Sequence, residues 1–349
     1  MWSAVSRAMF SLSEVQCQRR PLVVILGPTA VGKSRVAVQV AKHFGTEVLT
    51  ADSRQVYCGM DVGTDKPSAD ERQGVPHRLI DLADPDESFN AGWYRRAALV
   101  ELDRLYARKQ LPVVVGGTGL YIRALVHGLC PAPQADQSLR AELKKLSEEQ
   151  GRGRLYAELR EADPEAAARV HPNDEPKIIR ALEVHRLTGM PMSAAQRQHG
   201  FHEASFTTLL IGLQRPKEEL YRRIEERIDW QLAHGMVKET RSLLDRGYGR
   251  HLGAMKGLGY RHVAAHVAGE YDEAEMVRLF KRDTRRFAKR QMTWFRKEPG
   301  IHWVSIEQDE TPEQTTRRVV SCIEQFLGNV ESGAHSITMQ PAGMREESV

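Results

Sequence analysis

Short runs of apolar and β-branched residues recur along the chain at Leu22–Leu26, Glu47–Thr50, Arg78–Leu82, Pro112–Val115 and Thr207–Leu213, with a sixth at Ile301–Ile306. Runs this short, apolar with little alternation, mark strands buried on both faces of a parallel sheet. Between most of them hydrophobic positions recur at helical spacing, as in RVAVQVAKHF after the first run. Strand alternating with helix predicts an α/β fold with a doubly wound parallel sheet. The pattern breaks between about Pro131 and Phe201, where PAPQ opens a charged stretch rich in Ala, Glu and Arg without strand-like runs. This predicts a helical insertion over 131–201 that divides a core of 21–130 and 202–306. Residues 307–349 read as a last helix and a polar tail, and residues 1–20 as an N-terminal extension. The tail and the extension are expected to be disordered.

Composition narrows the class. No run approaches the ~18 apolar residues that span a bilayer, so a membrane-spanning helix is not expected. Cys17, Cys58, Cys130 and Cys322 are scattered and lack metal-ligand spacing. Reduced thiols in a cytoplasmic protein are the simplest reading. The net charge of +4 says little, but its distribution says more. From Arg278 to Lys297 the only acid is Asp283. As a helix, this segment puts Phe280, Phe287, Gln291 and Trp294 on one face and Arg278, Arg282, Arg285 and Lys289 on another. An apolar side in the core and a cationic side outward fits an RNA backbone. The plain alternative is a solvated charged face; the scarcity of acids favours RNA.

The strongest local signal is Gly27-Pro28-Thr29-Ala30-Val31-Gly32-Lys33-Ser34, which satisfies the phosphate-loop pattern G-x-x-x-x-G-K-[ST]. A strand runs into it and a helix follows. Backbone N–H groups and the helix dipole favour an anion there. Lys33 adds a full charge, and Ser34 offers a hydroxyl to magnesium. The loop alone does not select ATP over another polyphosphate, so nucleotide binding and kinase chemistry stay open at this stage.

Two further loops should face the same point, because ligands of doubly wound sheets sit beyond the carboxyl ends of the strands. EVLTAD ends in Asp52, a candidate magnesium carboxylate or general base, or else a helix cap. PVVV leads into Gly116-Gly117-Thr118-Gly119, which allows close approach of a ligand or simply a tight strand-to-helix connection. Arg223 and Arg227 share a helical face four residues apart, and pairing with Glu219 or Glu226 on a solvated face is the plain reading of them.

These loops resemble those of the tRNA dimethylallyltransferase family (tRNA isopentenyltransferases), whose members carry GPTA-x-GKS/T, DSRQVY-x-GMD-x-GT-x-KP and GGTGLY. The chain reads GPTAVGKS at 27–34, DSRQVYCGMDVGTDKP at 52–67 and GGTGLY at 116–121. HPNDEPKIIRALEV at 171–184 is similar to the family's HPND-x-x-RIIRALEV, and KGLGYR at 256–261 and TRRFAKRQMTWFRK at 284–297 resemble its closing motifs. The likeness runs from about residue 21 to 304. Pro176-Lys177 departs from the commoner Gln-Arg pair, and the N-terminal extension has no family counterpart. The zinc-finger tail of eukaryotic members is not found after Trp303, which implies the bacterial type.

The resemblance implies a P-loop NTPase-like fold with a helical insertion domain. It implies transfer of the dimethylallyl group from dimethylallyl diphosphate to N6 of adenosine 37 in tRNA, releasing diphosphate. Residues 27–34 would hold the diphosphate with a magnesium ion on Ser34. Asp52 would be the general base, with Thr118 and Arg227 as further catalytic residues. Implied tRNA contacts are Asp52, Ser53, Arg54, Gln55 and Thr118; Arg140, Pro176, Lys177, Ile178, Ile179 and Arg180; Lys256, Gly257, Leu258, Gly259, Tyr260 and Arg261; and Arg282, Arg285 and Lys289. The target base must leave the anticodon-loop stack to be reached. A monomer acting on the anticodon stem-loop in the cytoplasm is expected. A small-molecule P-loop kinase and an isopentenyltransferase acting on free adenine nucleotides are the alternatives. Neither explains the insertion or the basic helix.

Overall fold

The computed structural model describes residues 20–130, 132–199 and 206–332. The extension and the polar tail, where disorder is expected, lie outside these residues except for Arg20 and Ser332. Six strands, β1 (Arg20–Leu26), β2 (Val48–Ala51), β3 (His77–Arg78), β4 (Val113–Gly116), β5 (Phe206–Gln214) and β6 (Ile301–Ser305), form one parallel sheet in the order β3-β2-β4-β1-β5-β6. Helices α1 (Lys33–His43), α2 (Ala69–Arg72), α3 (Ala91–Ala107) and α4 (Gly119–His127) follow the first four strands or their loops. Between β4 and β5 lie α5 (Gln137–Gln150), α6 (Arg152–Ala162), α7 (Pro164–Arg169), α8 (Glu175–Thr188) and α9 (Met192–His199). Between β5 and β6 lie α10 (Lys217–Ala233), α11 (Met236–Asp245), α12 (Tyr260–Val267) and α13 (Glu273–Phe295), and α14 (Pro312–Glu331) comes last.

The central strands are buried on both faces, which is why they read as continuous apolar runs: Leu22 through Leu26 have no exposed surface. Val23 and Ile25 pack with Val36, Val40, Ile211, Val319 and Ile323 in one core. The third strand is shorter than its sequence suggests. Only His77 and Arg78 pair with β2, at Val48 and Leu49. Leu79 and Asp81 take φ of 64° and 53°, so the backbone turns out of the ladder after two residues.

The basic helix also packs differently from its expected face. Met276, Phe280, Thr284, Ala288, Gln291 and Phe295 of α13 are buried. Phe287 lies off this stripe with the Arg290 guanidinium 5.9 Å from its ring centroid, and Trp294 packs over Gly119. An apolar side chain can be satisfied by a neighbouring loop or cation as well as by the core, so residue type alone misassigned the helix face.

Residues 127–204 form a second compact unit. Leu143, Leu155, Leu159, Ile178, Ala181 and Leu182 make its core. Glu183, fully buried, accepts hydrogen bonds from Arg140 Nε and Nη2, both at 2.8 Å, from Arg180, and from the Asp136 N–H. Burial pushes this carboxyl up, but the hydrogen bonds from the two arginines prevail and hold it below its ordinary value.

Candidate active site

In the sheet, β2, β4 and β1 are adjacent and parallel, so their C-terminal ends bring three loops together. The phosphate loop leaves β1. Gly27 has φ of 152°, and a Cβ there would lie 2.6 Å from the Leu213 carbonyl oxygen, which excludes larger residues. Lys33 Nζ donates to Pro28 O at 2.8 Å. Burial, the largest cause, pushes this ammonium down to about 8 against the opposing charge of Asp52, and Arg227 lowers it further. Gly32 caps α1, so the N–H groups of its first turn have no acceptor within the helix.

Three arginines bind the outside of the loop. Arg215 Nε donates to Val31 O at 3.0 Å, Arg223 Nε to Ala30 O at 2.9 Å, and Arg227 Nη2 to Thr29 Oγ1 at 2.6 Å. Arg223 and Arg227 are therefore not on a solvated face; α10 turns them onto the loop. Burial, with Arg215 close by, pushes the Arg223 guanidinium below its ordinary pKa. Arg227 Nη1 also donates to Asp65 Oδ2 at 2.9 Å, while its buried Nε has no partner among the described residues.

At the end of β2, Asp52 Oδ1 accepts from the N–H groups of Arg54 at 2.8 Å and Gln55 at 3.4 Å. No helix starts at Asp52, so it closes a turn rather than capping a helix, and that turn occupies one of the two carboxylate oxygens. Thr118, after β4, accepts from the Ser53 N–H at 2.9 Å and so ties the two loops together. A Cβ on Gly116 would strike Ala51, and one on Gly119 would strike the Trp294 indole. The glycines of this loop serve close packing of protein on protein.

Gln291 was read only as part of an apolar helix face. Buried on α13, it accepts from the Thr29 N–H at 2.9 Å and donates to Gly117 O at 2.8 Å, joining the phosphate loop to the Thr118 loop. The Thr29 N–H is therefore already engaged. A polar side chain sharing an expected helix face with Phe280, Phe287 and Trp294 is the signal the sequence carries.

The other implied residues divide. Gln55 Nε2 donates to Thr64 O and Asp65 O at 3.2 and 3.0 Å, and Arg54 Nη1 donates to Gly253 O at 2.9 Å. In the 256–261 segment Lys256 is exposed, Gly257 is buried, Leu258 packs on the core, Gly259 caps α12 with φ of 84°, and Tyr260 is buried. Arg261 and Arg282 both bind Asp283, at 2.5 and 2.8 Å. Burial raises the Asp283 carboxyl, but hydrogen bonds from Arg282, His262 and Arg261 hold it far below the ordinary range. Arg285 pairs with Glu225 of α10, whereas Lys289 is exposed. In the second unit Lys177 pairs with Asp174 at 2.5 Å, Pro176 sits in the first turn of α8, Ile178 is buried and Ile179 packs beside it.

A cleft of about 1270 Å³ opens over the site, lined by Thr29, Lys33, Ser34, Asp52, Gln55, Asp65, Arg227 and Trp230 among others. It combines hydroxyl and carboxylate oxygens with lysine and arginine, a set suited to a polyphosphate with a hard cation. Among the described residues no three His, Cys, Asp or Glu side chains could hold a metal by themselves.

Known proteins resemble this chain along most of its length. The family model described as IPP transferase matches residues 55–298. The chain is 47% identical over 305 residues to a tRNA dimethylallyltransferase of Desulforudis audaxviator, spanning 87% of this chain and 98% of that protein. A Geobacter sulfurreducens tRNA dimethylallyltransferase is 48% identical over 283 residues, covering 81% and 91% of the two chains. The crystal structure of a Bacillus halodurans tRNA isopentenylpyrophosphate transferase superposes with a TM-score of 0.68 at 36% identity, covering 91% and 100%. A eukaryotic dimethylallyltransferase acting on tRNA gives a TM-score of 0.76 at 25% identity, covering 89% and 80%. With a family match over most of the chain and relatives spanned almost end to end, the chain belongs to the tRNA dimethylallyltransferase family.

Proposed function

We propose that the protein transfers the dimethylallyl group of dimethylallyl diphosphate to N6 of adenosine 37 in the anticodon stem-loop of tRNA. The carrying observation is the convergence of the phosphate loop, Asp52 and Thr118 at three adjacent strand ends, with Arg227 on Thr29 and a buried guanidinium N–H still unpaired. The adenine N6 attacks C1 of the allyl group, the C1–O bond breaks, and its electron pair leaves with the diphosphate. Negative charge grows on that leaving group, where Lys33, Arg227 and the first-turn N–H groups of α1 stabilise it. Ser34 would hold magnesium, which supplies further charge neutralisation. The attacking amine becomes positive and loses a proton to Asp52, whose second oxygen is not engaged in the local turn.

Kinase chemistry and prenylation of free nucleotides are not favoured, because relatives named for action on tRNA match over most of the chain. Incubation of the purified protein with bulk tRNA and labelled dimethylallyl diphosphate tests the reading. Label should enter tRNA without ATP. An absolute need for ATP, or label only in free nucleotides, would overturn it.

A further inference from the structure

We infer that Glu239 is a positioning residue for the diphosphate half of this reaction: it fixes the 61–65 loop and, through Asp65, the Arg227 guanidinium. The inference rests on the prenyl-transfer reading above. Glu239 lies on α11 and does not line the cleft. Its Oε2 accepts from the N–H groups of Asp61 at 3.0 Å and Val62 at 2.8 Å. Its Oε1 accepts from the Gly63 N–H at 3.1 Å and from the Tyr260 hydroxyl at 2.6 Å. Three successive backbone N–H groups converging on one carboxylate form an anion nest, and each bond gains strength from the charge. Burial, and then the Glu239 charge, push the Tyr260 phenol far up, so it remains a donor. Gly63 is required here, since a Cβ would lie 2.5 Å from Tyr260 Cζ.

The same loop is held from its other side. Gln231 Nε2 donates to Val62 O at 2.8 Å, and Gln55 Nε2 donates to the carbonyls of Thr64 and Asp65. The loop delivers Asp65 to Arg227 Nη1, while Arg227 Nη2 reaches Thr29. A planar guanidinium held at two corners presents its remaining N–H groups in fixed directions. Tyr260, implied by resemblance as a tRNA contact, is 1% exposed and acts on this loop from within the protein.

The test is a double-mutant cycle on magnesium diphosphate binding by the full chain, read by calorimetry, with steady-state kinetics beside it. Glu239→Gln keeps the side-chain size but turns an NH2 toward backbone N–H groups. It should weaken inorganic diphosphate binding roughly tenfold and lower kcat/KM for dimethylallyl diphosphate, with KM for tRNA unchanged. In an Arg227→Ala background the same change should add no further loss. Undiminished diphosphate affinity in Glu239→Gln, or fully additive losses in the double variant, would overturn the inference. If Glu239→Gln folds poorly, Tyr260→Phe removes the hydroxyl that binds Glu239 and should show a smaller loss that Arg227→Ala again abolishes. Wild-type protein that neither binds diphosphate nor prenylates tRNA would sink the underlying reading. Wild-type protein that does both, with an additive cycle, would sink this inference alone.

Discussion

The Lys33 ammonium makes proton uptake a direct measure of substrate binding. In the free protein it is folded back on Pro28 O and pushed down to about 8 from an ordinary 10.5, chiefly by burial. That depression corresponds to roughly 3 kcal/mol held against the charged form, at ~1.4 kcal/mol per tenfold. The sign follows from which state binds the proton. Free Lys33 loses its proton as pH rises through about 8, whereas a bound diphosphate supplies the missing counter-charge and restores a value near or above 10.5. Binding should therefore take up about 0.1 proton at pH 7, about 0.5 at pH 8 and about 0.9 at pH 9. The last ionisation of a phosphate ester group lies near pH 6, so the ligand itself still carries about 0.1 proton at pH 7 but contributes little at pH 8 and 9, where the uptake by Lys33 is read. Calorimetric titration with dimethylallyl diphosphate and magnesium, in buffers of differing ionisation enthalpy, reads the uptake directly. Lys33→Met should abolish its pH dependence. Uptake that stays near zero at pH 9, or persists in Lys33→Met, would refute the assignment of the charge that receives the diphosphate.

The other predictions bear on Asp52 and on the RNA face. Asp52→Asn should leave tRNA and diphosphate affinity near wild type, because the amide oxygen can still accept from Arg54 and Gln55, while single-turnover rate drops roughly 10²- to 10⁴-fold. A wild-type rate would show that the base is elsewhere, and weaker diphosphate binding rescued by excess magnesium would make Asp52 a metal ligand. Combined replacement of Arg282, Arg285 and Lys289 by Ala should flatten the salt dependence of tRNA binding by nearer one phosphate than three, because Arg282 and Arg285 already pair with Asp283 and Glu225. Filter binding across a salt series measures the slope, and a fall of about three would show that these ion pairs open onto RNA.

Much of the fold was legible in local patterns because those patterns are themselves local physics. Burial on both faces leaves a strand no polar positions, so the central strands announced themselves, and G-x-x-x-x-G-K-S can be read because tight turns and phosphate cradles are built from consecutive residues. The boundaries of β3 were not legible: HRLIDL has strand composition, and only the positive φ at Leu79 and Asp81 ends the pairing. Tertiary packing alone decided the rest of the site. Nothing near Arg223 or Arg227 in sequence distinguishes a solvated helix face from one laid against a loop nearly 200 residues away. The same holds for Gln291, whose amide spans two loops, and for Glu239, whose partners lie more than 170 residues upstream apart from Tyr260. The charge of the basic helix changed meaning for a related reason. From Arg278 to Lys297 Asp283 is the only acid, but Glu275 in the first turn of α13 pairs with Arg278, and in space α10 sets Glu225 and Asp229 beside Arg285 and Lys281. Coulomb interactions and hydrogen bonds depend on distance through space, and sequence separation carries no record of it.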